Sequence, residues 1–143
     1  MGGGEESYKH EIERFIQSHH LENRILIMGR TKKIKEEYLR ADIFCFPSRF
    51  EGFPNALGEA MTAGLPSVVC SDCPACVDLI TKGIEGVVSA PSADAIAEKL
   101  KILMKNTEIR MQMGQKAHER MIDFSPEAIW NQWENLIISV GKQ

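Results

Sequence analysis

The sequence lacks a long hydrophobic run. No stretch approaches the ~20 apolar residues that cross a bilayer, so no transmembrane segment is expected. It also lacks an excess of basic charge. Lys and Arg total 17 against 20 Asp and Glu, for a net charge of −3. Gripping a phosphate backbone needs clustered cations, so no nucleic-acid partner is expected. Internal repeats and low-complexity tracts are missing. With 43% hydrophobic and 26% charged residues, disorder, collagen and coiled coil all fit poorly. Residues Met1 to Glu6 carry neither the basic stretch nor the apolar stretch of a secretory signal. The default expectation is a cytoplasmic protein, with peripheral attachment of a longer parent to the inner face of the membrane as a variant of it.

What is present fits one domain. A chain of 143 residues and 16.1 kDa can bury roughly 70% of its unfolded surface, enough for a true core. Of the four cysteines, Cys70, Cys73 and Cys76 form a C-x-x-C-x-x-C run, with Cys45 apart. Thiolates at that spacing can converge on a metal ion. A closed zinc site wants four ligands, however, and no second Cys or His cluster follows at a familiar interval. Cys70 also ends an apolar, strand-like run. The run reads as a loop that carries cysteines, and no metal is expected.

Periodicity organises the chain. Tyr8, Ile12, Phe15 and Ile16 mark one face of a helix over residues 5–20. Arg24–Met28 is a short apolar run ended by Gly29 and predicts a buried strand. Thr31–Arg40 reads as a short surface helix. Asp42–Pro47 predicts a strand stopped by proline. A helix over Asn55–Ala63 is closed by Gly64 and Pro66. Ser67–Cys70 and Gly86–Ala90 read as further strands, with a brief helical turn over Cys76–Thr81 between them. Ala93–Lys105 and Glu108–Met121 are helix-spaced. Ser125-Pro126-Glu127 is a helix start with a serine cap and proline in the first turn. The last helix then presents Ile129, Trp130, Trp133, Leu136 and Ile137.

Apolar strands alternating with amphipathic helices predict an α/β fold, a mostly parallel sheet of about four strands with helices on both faces. The Gly2–Gly4 stretch reads as a strand-to-helix turn or a remnant of expression. No strand precedes the first helix, so the chain reads as the later part of a larger α/β domain. His10, His118 and the His19-His20 pair read as solvated helix positions. Met104, Met111, Met113 and Met121 read as core filler.

The stretch Pro47 to Pro66 carries the chemistry. A strand ends at Pro47, and Gly52 lets the loop turn. A helix starting at Pro54-Asn55 would leave the amides of Asn55, Ala56 and Leu57 without intrahelical acceptors. Such amides, with the helix dipole behind them, suit a phosphate. Glu51 lies ahead of that helix and Glu59 about one turn inside it. Carboxylates accept paired sugar hydroxyls well. A nucleotide sugar, with its diphosphate at the helix start, would satisfy every part. Equally, Glu51 could be a solvated loop residue and Glu59 an exposed helix residue.

The run Pro47-Ser48-Arg49-Phe50-Glu51-Gly52-Phe53-Pro54-Asn55, then Glu59-Ala60-Met61 and Ala63-Gly64-Leu65-Pro66, resembles the donor-site signature of retaining family-4 glycosyltransferases with the GT-B fold. Arg24 to Gly29, Ala41-Asp42-Ile43, Gly86-Val87-Val88, Ala95-Ile96-Ala97 and Phe124-Ser125 extend the likeness over nearly the whole chain. The resemblance implies a Rossmann-like, partial GT-B C-terminal domain over residues 1–124, with leading strands absent. Residues 125–143 would then form a helix that crosses to a missing N-terminal acceptor domain.

The resemblance also implies roles. Glu51 matches the first acid of an E-x7-E pair, the catalytic one that contacts the transferred sugar. Glu59 matches the second, which holds the ribose. Gly52, Phe53, Pro54, Asn55, Ala56 and Leu57 match the loop whose amides hold sugar and phosphates, and Gly29 and Arg30 the turn that borders the base. The donor would be a nucleotide-diphospho-sugar, with retention of configuration and no metal cofactor. The family's diphosphate-neutralising Arg and Lys lie in an earlier segment with no counterpart here. The chain alone is therefore expected to transfer no sugar and to bind a nucleotide sugar weakly. A non-catalytic binding or assembly module of the same fold is the alternative. The apolar face of the last helix would be exposed or covered by a second copy of the chain.

Overall fold

In a computed structural model that describes residues 6–141, the chain divides into two units, one reaching to Ile34 and one beginning at Lys35. The Gly2–Gly4 turn expected from the sequence lies outside the described residues.

The first unit holds helix α1, Glu6–Ser18, whose buried residue is Ile16. The chain then turns at Leu21, whose carbonyl accepts the amides of both Arg24 (2.8 Å) and Ile25 (2.9 Å). The strand expected over Arg24–Met28 does not form. A strand exists only where its amides and carbonyls meet a neighbour, and among the described residues this segment has no ladder partner. Its side chains stand in the open, with Leu26 76% and Met28 62% exposed. An apolar run shows the means to pair, not the presence of a partner.

The second unit takes in α2, Ile34–Arg40, from Lys35 onward, followed by β1, Phe44–Phe46. Then come α3, Asn55–Thr62; β2, Ser67–Cys70; α4, Pro74–Leu79; and β3, Gly86–Ser89. Three helices close it: α5, Ala93–Lys105; α6, Thr107–Ile122; and α7, Pro126–Val140. The sheet is parallel in the order β1-β2-β3, so it has three strands where about four were expected. Helix α4 begins two residues before the expected turn, because Pro74 takes its first position.

The register sorts the sheet into faces. Phe46, Val69 and Val88 are ladder partners, and Phe44 lies two residues before Phe46 on the same face. They pack in one cluster with Leu57 and Met61 of α3, Cys76 and Leu79 of α4, and Ala117 of α6. Val68 and Cys70 point the other way and are also buried. Helix α5 lies against β2 and β3, with Leu103 buried. Burial of every β2 residue is what a central parallel strand requires.

Helix α3 is fixed at both ends of its inner face. Leu57, Ala60 and Met61 recur at helical spacing and are fully buried. Its C-terminus is closed by a Schellman motif. The Gly64 amide donates to the Met61 carbonyl (2.9 Å) and the Leu65 amide to the Ala60 carbonyl (3.0 Å). Gly64 has φ +80°, which a side chain would disfavour. Leu65 then packs back on Ala60 and Tyr38. Across the bundle, α6 meets this turn closely at Gly114, where a Cβ would strike the Gly64 carbonyl.

The last three helices each carry a side-chain cap, that at Ser125 expected from the sequence. Ser92 Oγ accepts from the Ala95 amide (3.3 Å), and Asn106 Oδ1 from the Ile109 amide (3.0 Å). Ser125 Oγ accepts from the Ala128 amide (3.3 Å). Arg110 reaches back to donate to the Leu103 and Met104 carbonyls (2.8 and 3.1 Å), satisfying acceptors at the end of α5. Helix α7 buries none of its residues, and Trp130 is 71% and Trp133 59% exposed. Among the described residues, no helix is long and apolar enough to cross a membrane.

Candidate functional site

Strand β1 delivers the chain to Pro47, and α3 takes it up again at Asn55. The loop between them, 47–54, holds Glu51 half-buried, with Gly52 and Phe53 exposed and Pro54 fully buried. Phe53 leans its ring on Phe124, centroids 6.3 Å apart. Phe50 projects into solvent, 87% exposed. With Pro54 and Leu57 driven into the core, the segment offers a ligand main chain and two carboxylates.

Each carboxylate has a hydroxyl donor. Ser48 Oγ donates to Glu51 Oε1 at 2.7 Å, the short distance typical of a charge-assisted bond. Tyr38 Oη donates toward Glu59 Oε2 at 3.3 Å and lies 3.4 Å from the Ala56 carbonyl. Burial, together with the Glu59 charge and that hydrogen bond, raises the Tyr38 phenol above its ordinary range. Glu59 itself stands exposed on the outer face of α3.

The helix start corrects one expectation. Of the three amides expected to be free, two are engaged. Asn55 donates to the Phe53 carbonyl (2.9 Å) and Leu57 to the Pro54 carbonyl (3.0 Å), which also accepts from Gly58 (3.1 Å). The cause is the tight turn at Pro54, with φ −80° and ψ 73°, which folds these carbonyls back over the first turn. The Ala56 amide is the one left for an incoming acceptor.

A second loop braces the first. Arg49 Nε donates to Asp72 Oδ2 at 2.7 Å, tying the Glu51 loop to the segment after β2. That bond holds the Arg49 guanidinium firmly protonated. Cys73 and Cys76 lie just beyond, buried, with Sγ atoms 3.1 Å apart as free thiols. Burial pushes the Cys76 thiol up to about 12, helped by its hydrogen bond to Cys73 and by nearby negative charge, including that of Glu51. A thiol held protonated in the core is a poor nucleophile. Among the described residues, no group of three or more His, Cys, Asp or Glu side chains is placed to hold a metal ion.

The expected residues thus fall in two places. Glu51, Gly52, Phe53, Pro54, Asn55, Ala56, Leu57 and Glu59 lie along the loop and first turns of α3, with Gly52, Phe53, Asn55 and Glu59 exposed, Glu51 and Ala56 half-buried, and Pro54 and Leu57 buried. Gly29 and Arg30 belong to the first unit, where Gly29 has φ +66° in an open turn. Sequence reasoning missed Tyr38 and Asp72, and gave Ser48 and Arg49 no role. The buried tyrosine carried a readable signal: its hydroxyl must find a partner. Two cavities of about 460 and 560 Å³ lie elsewhere, one along α6 beside Ile84 and one along α7 between Trp130 and Ile138. Neither is lined by Glu51 or Glu59. The candidate site is read from its carboxylates, not from either hollow.

Comparison with known proteins gives the family and the fold. The model of the family described as "Glycosyl transferases group 1" matches residues 2–120. The chain is 31% identical over 137 residues to the amylovoran biosynthesis glycosyltransferase AmsD of Erwinia amylovora, covering 96% of this chain and 38% of that protein. It is 28% identical over 116 residues to the N,N'-diacetylbacillosaminyl-diphospho-undecaprenol alpha-1,3-N-acetylgalactosaminyltransferase of Campylobacter jejuni, covering 80% of this chain and 31% of that one. Among solved structures, Anabaena Alr3699/HepE in complex with UDP superposes with a TM-score of 0.87 at 23% identity, over 96% of this chain and 38% of its own length. The chain therefore spans less than two fifths of these relatives, and its α/β fold matches part of a GT-B glycosyltransferase. With residues 2–120 matched, the chain belongs to the glycosyl transferases group 1 family.

Proposed function

We propose that this chain is the donor-binding portion of a retaining, family-4 glycosyltransferase. The parent would pass a sugar from a nucleotide-diphospho-sugar to an acceptor in polysaccharide or glycolipid synthesis. One observation carries the reading: two acids flank the start of a helix whose inner face is locked into the core, and each is steadied by its own hydroxyl donor. In this reading Glu51 is the catalytic acid that contacts the transferred sugar. Glu59 accepts from the ribose hydroxyls. The main chain over Gly52–Leu57, with the Ala56 amide free, receives the sugar and phosphates. Gly29 and Arg30 border the base. Stabilising charge on the departing diphosphate would be the main catalytic contribution.

The relatives support the class of substrate. One is named for amylovoran biosynthesis, one for an undecaprenol-linked acceptor, and the HepE structure holds UDP. The reaction as proposed uses no metal cofactor and takes its acceptor from a separate N-terminal domain. That domain would cover the exposed apolar face of α7; the other proposed occupant is a second copy of the chain. The proposed setting is the cytoplasm, with the parent attached peripherally to the membrane.

A second reading has its own support. Arg49 is the lone cation between Pro47 and Glu59 and is committed to Asp72, and two of the three helix-start amides are engaged. A diphosphate here meets little positive charge, as a non-catalytic binding module would tolerate. Titrating UDP- and GDP-sugars against the chain, with Glu51→Ala and Glu59→Ala as controls, tests the first reading. Weak binding, lost in both variants, is the expected result. Binding that neither substitution changes would refute the site.

A further inference from the structure

We propose that Tyr38 is a positioning residue that presents Glu59 to the ribose of the donor. The inference rests on the reading of Glu59 given above and adds a residue outside the signature segment.

The geometry begins with the ring. Tyr38 sits on α2, 8% exposed, clustered with Ala60 and Leu65. Phe44 meets it edge-on at 5.7 Å with an interplanar angle of 80°. A ring held on several sides fixes its hydroxyl in space. That hydroxyl has one proton and points it between two acceptors on the outer face of α3, the Ala56 carbonyl and Glu59 Oε2. The two acceptors are three residues apart and lie on neighbouring turns.

The consequence follows from what a free glutamate would do. An exposed glutamate on a helix samples many rotamers and gives up that freedom when it binds a ligand. Tyr38 takes part of this cost before the ligand arrives. It holds Oε2 and leaves Oε1, with the remaining lone pairs, to accept hydroxyl protons. Preorganisation of this kind appears as affinity without any contact between the positioning residue and the ligand. Tyr38 would therefore matter only for ligands that carry the hydroxyls Glu59 receives.

The test is a double-mutant cycle on the intact chain, with UDP and 2′,3′-dideoxyuridine diphosphate as probes and binding followed by NMR titration. Tyr38→Phe keeps the ring and removes the proton, so packing is retained. One hydrogen bond's net worth predicts UDP binding weakened about 3–10-fold. The dideoxy nucleotide should change less than about twofold, because its lost hydroxyls leave Glu59 nothing to receive. In a Glu59→Gln background, Tyr38→Phe should add nothing. A ligand-free check uses alkaline titration of the phenol in a Tyr8→Phe chain, where Glu59→Gln should lower the Tyr38 midpoint. Equal weakening of both nucleotides by Tyr38→Phe, additivity with Glu59→Gln, or an unmoved midpoint would overturn the inference. UDP binding indifferent to Glu59→Gln would instead sink the ribose assignment, and this inference with it.

Discussion

Replacing Gly114 by alanine separates two opposing effects cleanly. On propensity alone the change should help, since alanine is favoured over glycine inside a helix by about 1 kcal/mol. Packing opposes it. The new methyl would run into the Gly64 carbonyl, a main-chain atom in the turn that closes α3. Overpacking costs about 1–3 kcal/mol, and an obstacle that cannot rotate away places this case at the upper end. The net expectation is a loss of about 2 kcal/mol, or roughly 5–8 °C in Tm for a chain of this size. Gly58→Ala supplies the control. Its methyl would lie 3.3 Å from Met121 Cε, the far end of a flexible side chain. That chain can yield, so Gly58→Ala should leave Tm level or raise it. Thermal and urea unfolding of both variants measure the contrast. If Gly114→Ala matched the wild type, or if both glycines shifted stability in the same direction, the close approach of α6 to α3 would be wrong.

Three further outcomes follow from the loops that brace the site. Cys45 is exposed while Cys70, Cys73 and Cys76 are buried, so a thiol reagent should modify one cysteine in the native chain and four after unfolding; early modification of two or more would contradict the packing of α4. Because the folded state lifts Cys76 from 9.0 to about 12, its protonated form is favoured on folding, and stability from this thiol is full below pH 9 and declines as pH rises toward 12. Urea midpoints measured across that range should fall, and a Cys76→Ala chain should show a shallower decline. Arg49→Ala should barely move Tm, since the Arg49 side of the ion pair with Asp72 is largely exposed. It should still loosen the Glu51 loop, visible as faster amide exchange over 48–53; unchanged exchange would show that Asp72 does not restrain it.

How much of this was legible in the chain depends on the range of the contacts involved. Helices α5, α6 and α7 stand close to their expected bounds because caps and apolar spacing are local signals. Strand β2 was legible for a related reason: Ser67–Cys70 is short, apolar and framed by Pro66. Residues 24–28 look equally strand-like, yet pairing is a property of two segments, and composition reports on one. The carboxylates were legible because Glu51, in the loop, and Glu59, on α3, lie in one short segment that resembles a known signature. Their hydroxyl donors were less so. Ser48 lies in the same loop and could have been weighed as a donor. Tyr38 sits 21 residues from Glu59, and Asp72 23 from Arg49. The engaged amides of Asn55 and Leu57 follow from the ψ of Pro54, which no residue identity dictates.

Under the proposed function, helix α3 has two jobs that its sequence keeps on opposite sides. Leu57, Ala60 and Met61 face inward and fix its tilt and depth. Asn55 and Glu59 face outward, and the Glu51 loop enters from its start. Binding chemistry on the outside can therefore vary without disturbing the core, provided the inside keeps its volume. The converse does not hold. Leu57 is fully buried one turn above Pro54, so truncating it to alanine removes the wedge that seats the first turn. Such a loss costs about 2–5 kcal/mol, spread by how far the site collapses. Collapse would also re-aim the Ala56 amide and the Glu59 carboxylate together, since both ride on that turn. An inner-face lesion should thus degrade affinity for both ends of a ligand at once, whereas an outer-face lesion should degrade one.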